Sequence, residues 1–359
     1  MKKAKKTLII LIAVLVVIVA ALVAITVINA INNRQAEKDK EAAIINLGSI
    51  GEADRFTLDC GKNGEDITFV REGETWYVES MRGLTLDQNT VGHIAEEVSG
   101  LTAERRISIA EDISYYGLDA PSFRFSAGDP EGHSISLLIG KSFDTIAGTK
   151  YYVMKPDGDE IYTVDSDLVK ALDYGVFDMA KPDAFPVLDQ TNIDSMTIKD
   201  GSGTEICFEK KDNPAGTEDE PYIWYLKTGA GLVPVSDVKI NPNNAGETTA
   251  TGYIDNILKT FSRSFFYKTC DFDRTDEELR SQFGFDGLTV EIAYTTENDE
   301  GKTVSDKLVF AFGGDFTENE GADAYTYAKF PDSGQVNCMT TRRVVPFRNA
   351  VTDLAEAVK

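Results

Sequence analysis

SIAEDISYYGLD (residues 108–119) and TDEELRSQFGFD (residues 275–286) carry one pattern: a Ser or Thr, a Glu three positions later, a Gly after nine and an Asp after eleven. A pattern written twice in one chain marks either shared chemistry or the same structural joint in two copies of a module. The residue types favour the joint. Ser108 with Glu111, and Thr275 with Glu278, have capping-box spacing, in which the hydroxyl accepts from the first-turn backbone while the Glu returns a bond to the cap's amide. A helix of about two turns is expected after each, too short to stand without packing. Gly117 and Gly284 suit the left-handed position that ends a helix, and Leu118 and Phe285 the apolar residue that packs back after it. Tyr116 and Phe283 direct each helix at the core. Asp119 and Asp286 are read as bonding local amides where the chain turns into a strand; a functional carboxylate pair is the alternative.

Outward from this motif the order of events repeats. DITFVREGETWYV (66–78) reads as a β-hairpin around Glu72-Gly73, and EICFEKK with YIWYLK (205–227) as a second one with a longer polar turn. Helical spacing follows in TVGHIAEEVSGL (90–101) and TGYIDNILKTF (251–261). After the motif come strand-like runs: FRFSA, SISLLIG, KYYVMK and EIYTV in one copy, LTVEIAY, KLVFAFG, AYTYAKF and QVNCM in the other. Matched points lie 139 positions apart at Phe69 and Phe208 and 175 apart at Pro156 and Pro331, the drift that loop insertions in the second copy produce. The reading is an α+β fold with two tandem, mostly antiparallel β modules, each with packing helices, over 48–180 and 188–355.

The N-terminus has a different character. Leu8–Ile28 is uncharged with Thr26 its only polar member, ~31 Å as a helix against ~30 Å of bilayer hydrocarbon. Lys2, Lys3, Lys5 and Lys6 precede it, so the positive-inside rule keeps the N-terminus cytoplasmic and sends the remainder outside. Residues 1–30 are therefore read as a cytoplasmic tip and uncleaved transmembrane anchor, and 31–47 as a helical stalk. A cleaved signal peptide is the rival, disfavoured because such apolar cores run ~7 to 15 residues. The chain has net charge -23; residues 1–34 hold five cations and no anion, leaving -28 for the rest. So acidic a surface repels phosphate polymers and argues against nucleic acid as a partner.

Several motifs that would carry chemistry are incomplete in this sequence. Gly140-Lys141-Ser142 lacks the glycine that a phosphate loop needs, since Ile135 stands there. Gly201-Ser202-Gly203 reads as a turn rather than a nucleophile elbow. His93 and His133 are the two histidines, read as having no second ligand at metal spacing. Asp271 and Asp273 begin a calcium-like loop, but Asp276 replaces its glycine and Gln282 its bidentate Glu. Cys60, Cys207, Cys270 and Cys338 are too widely spaced for a thiolate metal cluster; they allow one or two disulfides, or isolated buried thiols. No cofactor is expected. Trp76, Tyr77, Trp224 and Tyr225 occupy matching places and would stack on sugar rings if exposed, although strand alternation turns one of each pair inward.

YGLDAPSFRFSA, LLIG (137–140) and KYYVMKPDGDEIYTV (150–164), with the N-terminal anchor, make the chain resemble a bacterial domain-of-unknown-function family, number forty-three forty. The second copy is looser, for FGFDGLTVEIAY lacks the proline. The resemblance implies a single-span envelope protein of the sort encoded beside ABC-type permeases and gliding-motility auxiliary subunits, hence an accessory, non-enzymatic role in a transport assembly. It implies no catalytic residues. The competing expectation is a free-standing envelope module that binds glycan or peptide.

Overall fold

Strict alternation of apolar and polar residues, as in DITFVRE and LTVEIAY, lets a strand bury one face while wetting the other. The computed structural model of the protein describes residues 45–59, 66–107, 111–146, 148–186, 188–216, 221–241, 247–261, 266–297, 300–319 and 321–359. Two large sheets dominate it, antiparallel in each described pairing. In chain order the first has β2 (Arg55–Asp59), β3 (Asp66–Glu72), β4 (Thr75–Val78), β6 (Arg105–Ile107), β7 (Phe123–Gly128), β8 (Ser134–Thr145), β9 (Gly148–Met154) and β10 (Ile161–Asp165). Their spatial order is β4-β3-β2-β7-β8-β9-β10-β6. A separate pair joins β1 (Ile45–Ser49) to β5 (Gly100–Ala103).

The second sheet holds β11 (Ile193–Lys199), β12 (Glu205–Asp212), β13 (Tyr222–Thr228), β14 (Gly231–Pro234), β17 (Lys268–Phe272), β18 (Leu288–Glu297), β19 (Thr303–Thr317), β20 (Ala324–Lys329) and β21 (Gln335–Thr340). Its order is β14-β13-β12-β11-β18-β19-β20-β21-β17. With β14 set aside, this is the first order strand for strand. The short strands β15 (Lys239–Ile240) and β16 (Thr248–Thr249) pair separately. By contact density the chain divides into two units, one of residues up to Phe69 with Gly92–Asp173, the other of Val70–Val91 with Tyr174–Lys359.

Helices are α1 (Gln88–Ser99), α2 (Ser166–Leu172), α3 (Thr251–Phe261), α4 (Asp276–Phe283) and α5 (Thr341–Leu354). In the second unit α3 buries Ile254, Ile257, Leu258 and Phe261, and α5 buries Val344, Phe347, Ala350, Val351 and Leu354. Both stripes meet the inner face of the sheet, where Met196, Ile198, Phe208, Val290, Ile292, Phe310 and Phe312 complete one core. In the first unit Phe56 and Phe69 stack at 4.7 Å on neighbouring strands.

Three boundaries differ from the sequence reading. The helix expected over 90–101 runs two residues earlier, because the Asp87 carboxylate caps it by accepting from the amides of Asn89 and Thr90. Leu101 is buried in β5 rather than on that helix. Ile45–Leu47, assigned to the helical stalk, pairs with β5 as part of β1. The apolar stretch Leu8–Ile28 and most of the stalk lie outside the described residues; among the described ones no helix is long and apolar enough to cross a membrane.

Candidate functional site

The repeated motif builds a backbone-to-backbone lock in each sheet. In the second, Thr275 Oγ1 accepts from the Glu278 amide at 3.3 Å and the Glu278 carboxylate accepts from the Thr275 amide at 2.9 Å, the reciprocal box that the spacing predicts. Gly284 ends α4 at φ 68°, and its N–H donates to the Arg280 carbonyl. The chain then meets β19 at Gly313, where an added Cβ would lie 2.3 Å from the Phe283 carbonyl oxygen. The strand register slips there, between Phe312 and Asp315, a bulge that re-aims the strand past the helix end.

The first sheet repeats the geometry with different caps. Gly117 stands at φ 71°, and a Cβ on Gly140 would lie 2.3 Å from the Tyr116 carbonyl oxygen, beside a register shift between Ile139 and Ser142. YGLD and LLIG are thus two halves of one contact. Tyr116 meets Tyr152 on β9 edge to face at 4.9 Å, as Phe283 meets Tyr327 on β20 at 5.0 Å. Leu118 is buried and Phe285 packs against the Leu279, Phe283 and Val336 cluster.

Two parts of the motif behave otherwise than expected. In place of a two-turn helix the first copy has a single 3-10 turn, Ile113–Tyr116, capped by Asp112, whose Oδ1 accepts from the Ser114 amide at 3.0 Å. That bond holds the Asp112 carboxyl below its ordinary value. Glu111 is exposed, and Ser108 lies outside the described residues. Asp112 sits two positions before a Ser, a local signal that was there to read. Asp119 and Asp286 are exposed and form none of the expected local amide bonds; among the described residues neither makes a side-chain hydrogen bond.

The aromatic pairs are mostly packing. Trp76 is 5% exposed, so its ring offers no stacking face; its amide and carbonyl are clamped by the Gln88 side chain. Trp224 is half-buried against the second core, and Tyr77 and Tyr225 are half-buried as well. A cluster missed in sequence lies in the DPEGHS turn. Asp129, Glu131 and His133 place their ligand atoms within 4.8 Å of one another, which corrects the expectation that His133 lacks neighbours. Asp129 is already spoken for: its carboxylate accepts from the amides of Gly51 and His133 and from His133 Nδ1, each at 2.8 Å. Burial opposes its charge, but those bonds prevail and hold the carboxyl at about 2.

Open space in the second unit lies on both flanks of α5. One groove of about 410 Å³ runs between α3 and α5, lined by Thr248, Thr249, Tyr253, Asn256, Arg342, Val345, Pro346 and Asn349. Pro346 has no N–H to donate to the Arg342 carbonyl four residues before it in α5. Tyr253 donates to Asp353 at 2.7 Å, and burial together with that carboxylate pushes its hydroxyl up to about 12. Val345 is 40% exposed. The other groove, about 550 Å³, borders the lock at Gly284, Asp286, Gly313 and Gly314. There Arg348 grips Asp315 through two nitrogens, at 2.7 and 3.0 Å, and donates to the Gly313 carbonyl at 3.2 Å. Arg348 and Asp315 satisfy one another there, and a third groove, of about 460 Å³, lies in the first unit beside Gly48 and Lys155; the α3–α5 groove, with its exposed Val345, is taken as the candidate binding surface.

An α+β protein on antiparallel sheets, its signature motif absorbed in backbone packing, is the class that fold and site define. Residues 76–241 match the family model described as Domain of unknown function (DUF4340), to which that segment of the chain is similar. No curated protein and no solved structure gives a significant match.

Proposed function

We propose that the protein is a single-pass, membrane-anchored extracytoplasmic protein, a non-enzymatic accessory component of an ABC-type transport system that presents two tandem β modules outside the cell. The observation that carries this reading is the uncharged 21-residue stretch Leu8–Ile28 behind four lysines, followed by a strongly acidic remainder. The transport association rests on what the family resemblance of the sequence implies, and residues 76–241 match the model of that domain of unknown function. The fold fits a presenting role: the repeated motif stiffens each sheet where a strand leaves a short helix.

Mild-detergent purification of the tagged full-length protein from its native membrane, with cross-linking and mass spectrometry, tests the reading. Recovery of a polytopic permease with its ATPase, lost when Leu8–Ile28 is replaced by an unrelated span, is the expected result. A reporter fused after Lys359 that is active only in the cytoplasm overturns it. The groove between α3 and α5, with an exposed Val345 beside Arg342 and two asparagines, favours a second reading as a free-standing module for peptide or glycan. Isolation of the protein without membrane partners moves that reading ahead.

A further inference from the structure

Strand β17 pairs with β21 so that Lys268 faces Cys338 and Thr269 faces Asn337, and then the register slips between Thr269 and Asp271. The residue displaced by this bulge is Cys270. The bulge sets Cys270 diagonally beside Cys338 across the strand pair, and the two thiols influence each other electrostatically. Sequence distance hid this pair, 68 positions apart along the chain. The two sulfurs differ in access: Cys338 is fully buried, whereas Cys270 is partly exposed. Tyr327, opposite Cys338 on β20, stacks on Phe316 at 4.3 Å and walls one side. The Lys268 ammonium, paired with Glu318, lies on the other.

We propose that Cys270 and Cys338 form a reactive dithiol that is oxidised by small-molecule disulfides to a cross-strand disulfide between β17 and β21. The hydrogen bonds from Cys270 and Lys268 hold the Cys338 thiol below its ordinary value, while the bond to Cys338 and burial push Cys270 up. With one proton already lost from the pair, Cys270, the sulfur that solvent reaches, attacks the incoming disulfide RS–SR as its own proton passes to Cys338. A Cys270–S–SR bond forms and RS⁻ leaves. Cys338 then gives that proton to RS⁻ and attacks the Cys270 sulfur from inside the protein, expelling a second RS⁻. Two electrons pass from the dithiol to RS–SR, and the products are one protein disulfide, one RSH and one RS⁻. Burial of Cys338 is no obstacle, because Cys270 is its neighbour across the strand pair.

The inference stands apart from the transport reading and does not depend on where the chain resides. Full-length protein in detergent is equilibrated with mixtures of reduced and oxidised glutathione, acid-quenched, alkylated, digested and mapped by mass spectrometry. The expected product is a peptide linking Cys270 to Cys338, two hydrogen masses lighter than its reduced parts. Cys338→Ala is expected to trap glutathione on Cys270, and Cys270→Ala to leave Cys338 unmodified in the folded protein. Linkage of Cys270 to Cys60 or Cys207, or a dithiol that closes only after denaturation, overturns the proposal. So does rapid glutathione uptake by Cys338 in the Cys270→Ala protein. Where the variants do not fold, the wild-type map alone decides.

Discussion

Substituting Gly313 by Ala tests the lock directly. The new Cβ would sit 2.3 Å from the Phe283 carbonyl oxygen and 3.1 Å from the Tyr327 Cβ, against 3.4 Å or more in ordinary contact. Because the oxygen belongs to the backbone at the end of α4, a rotamer change cannot relieve the clash. The last turn of α4 must move by roughly 1 Å, loosening the edge-to-face contact of Phe283 with Tyr327. Overpacking of this kind costs about 1 to 3 kcal/mol. In a unit this size it lowers the melting temperature by roughly 2 to 12 °C. Circular dichroism across a guanidinium titration, read alongside Gly140→Ala in the first sheet, gives the value. Gly92→Ala is the control: it lies inside α1 with nothing within 4 Å of its Cβ, so it is expected to stabilise by ~0.5 to 1 kcal/mol. If Gly313→Ala falls within ~0.5 kcal/mol of the parent, like an unremarkable surface change, the lock is not a rigid contact and the reasoning fails.

Thr275→Ala removes the hydroxyl half of the capping box and is expected to cost ~1 kcal/mol in the same titration, with Thr275→Ser retaining most of it. Gln335 is buried, and its amide accepts from Thr85 N at 3.1 Å and donates to the Lys181 carbonyl at 3.2 Å; Gln335→Leu strands both and is expected to lose ~2 to 4 kcal/mol by denaturant unfolding. The Asp129–His133 pair sets a pH window. The hydrogen bond that His133 donates to Asp129 raises the His133 value, so that contribution is full below ~6.5 and fades as pH rises through the folded value. Asp129 is depressed to about 2, so its contribution holds above ~3.9 and is lost as pH falls through about 2. Imidazole proton resonances should place the His133 midpoint above ~6.5, falling back in Asp129→Asn; a wild-type midpoint at or below that value refutes the pairing.

Alternation was enough to find the later strands of both sheets, and helical spacing found α3 to the residue, because each pattern is local. The leading strands β2 and β11 were harder to read. RFTLD is only five residues long, and IDSMTIK is broken by a register shift between Ile193 and Ser195. Helix α5 escaped notice since Pro346 interrupts its middle and two arginines open it. With it went the α3–α5 groove. Thr275 and Glu278 declare their cap through spacing alone, whereas Gly140 and Gly313 acquire meaning only beside Tyr116 and Phe283, more than twenty positions away. Trp76 illustrates the opposite error: a ring suited to sugar stacking is also suited to a core, and the pleat turned it inward.

Gly117 and Gly140 are 23 positions apart, Gly284 and Gly313 29, so the second hairpin carries six more residues between the halves of its lock. That surplus is displaced to the far end. The pairs Thr295↔Ser305, Thr296↔Val304 and Glu297↔Thr303 continue past Tyr294, where β11 ceases to accompany β18. A frame pinned at its base can be lengthened at its tip without moving anything behind it. The reach of each hairpin is therefore a free dimension of this architecture, adjustable in one sheet while the other keeps its size.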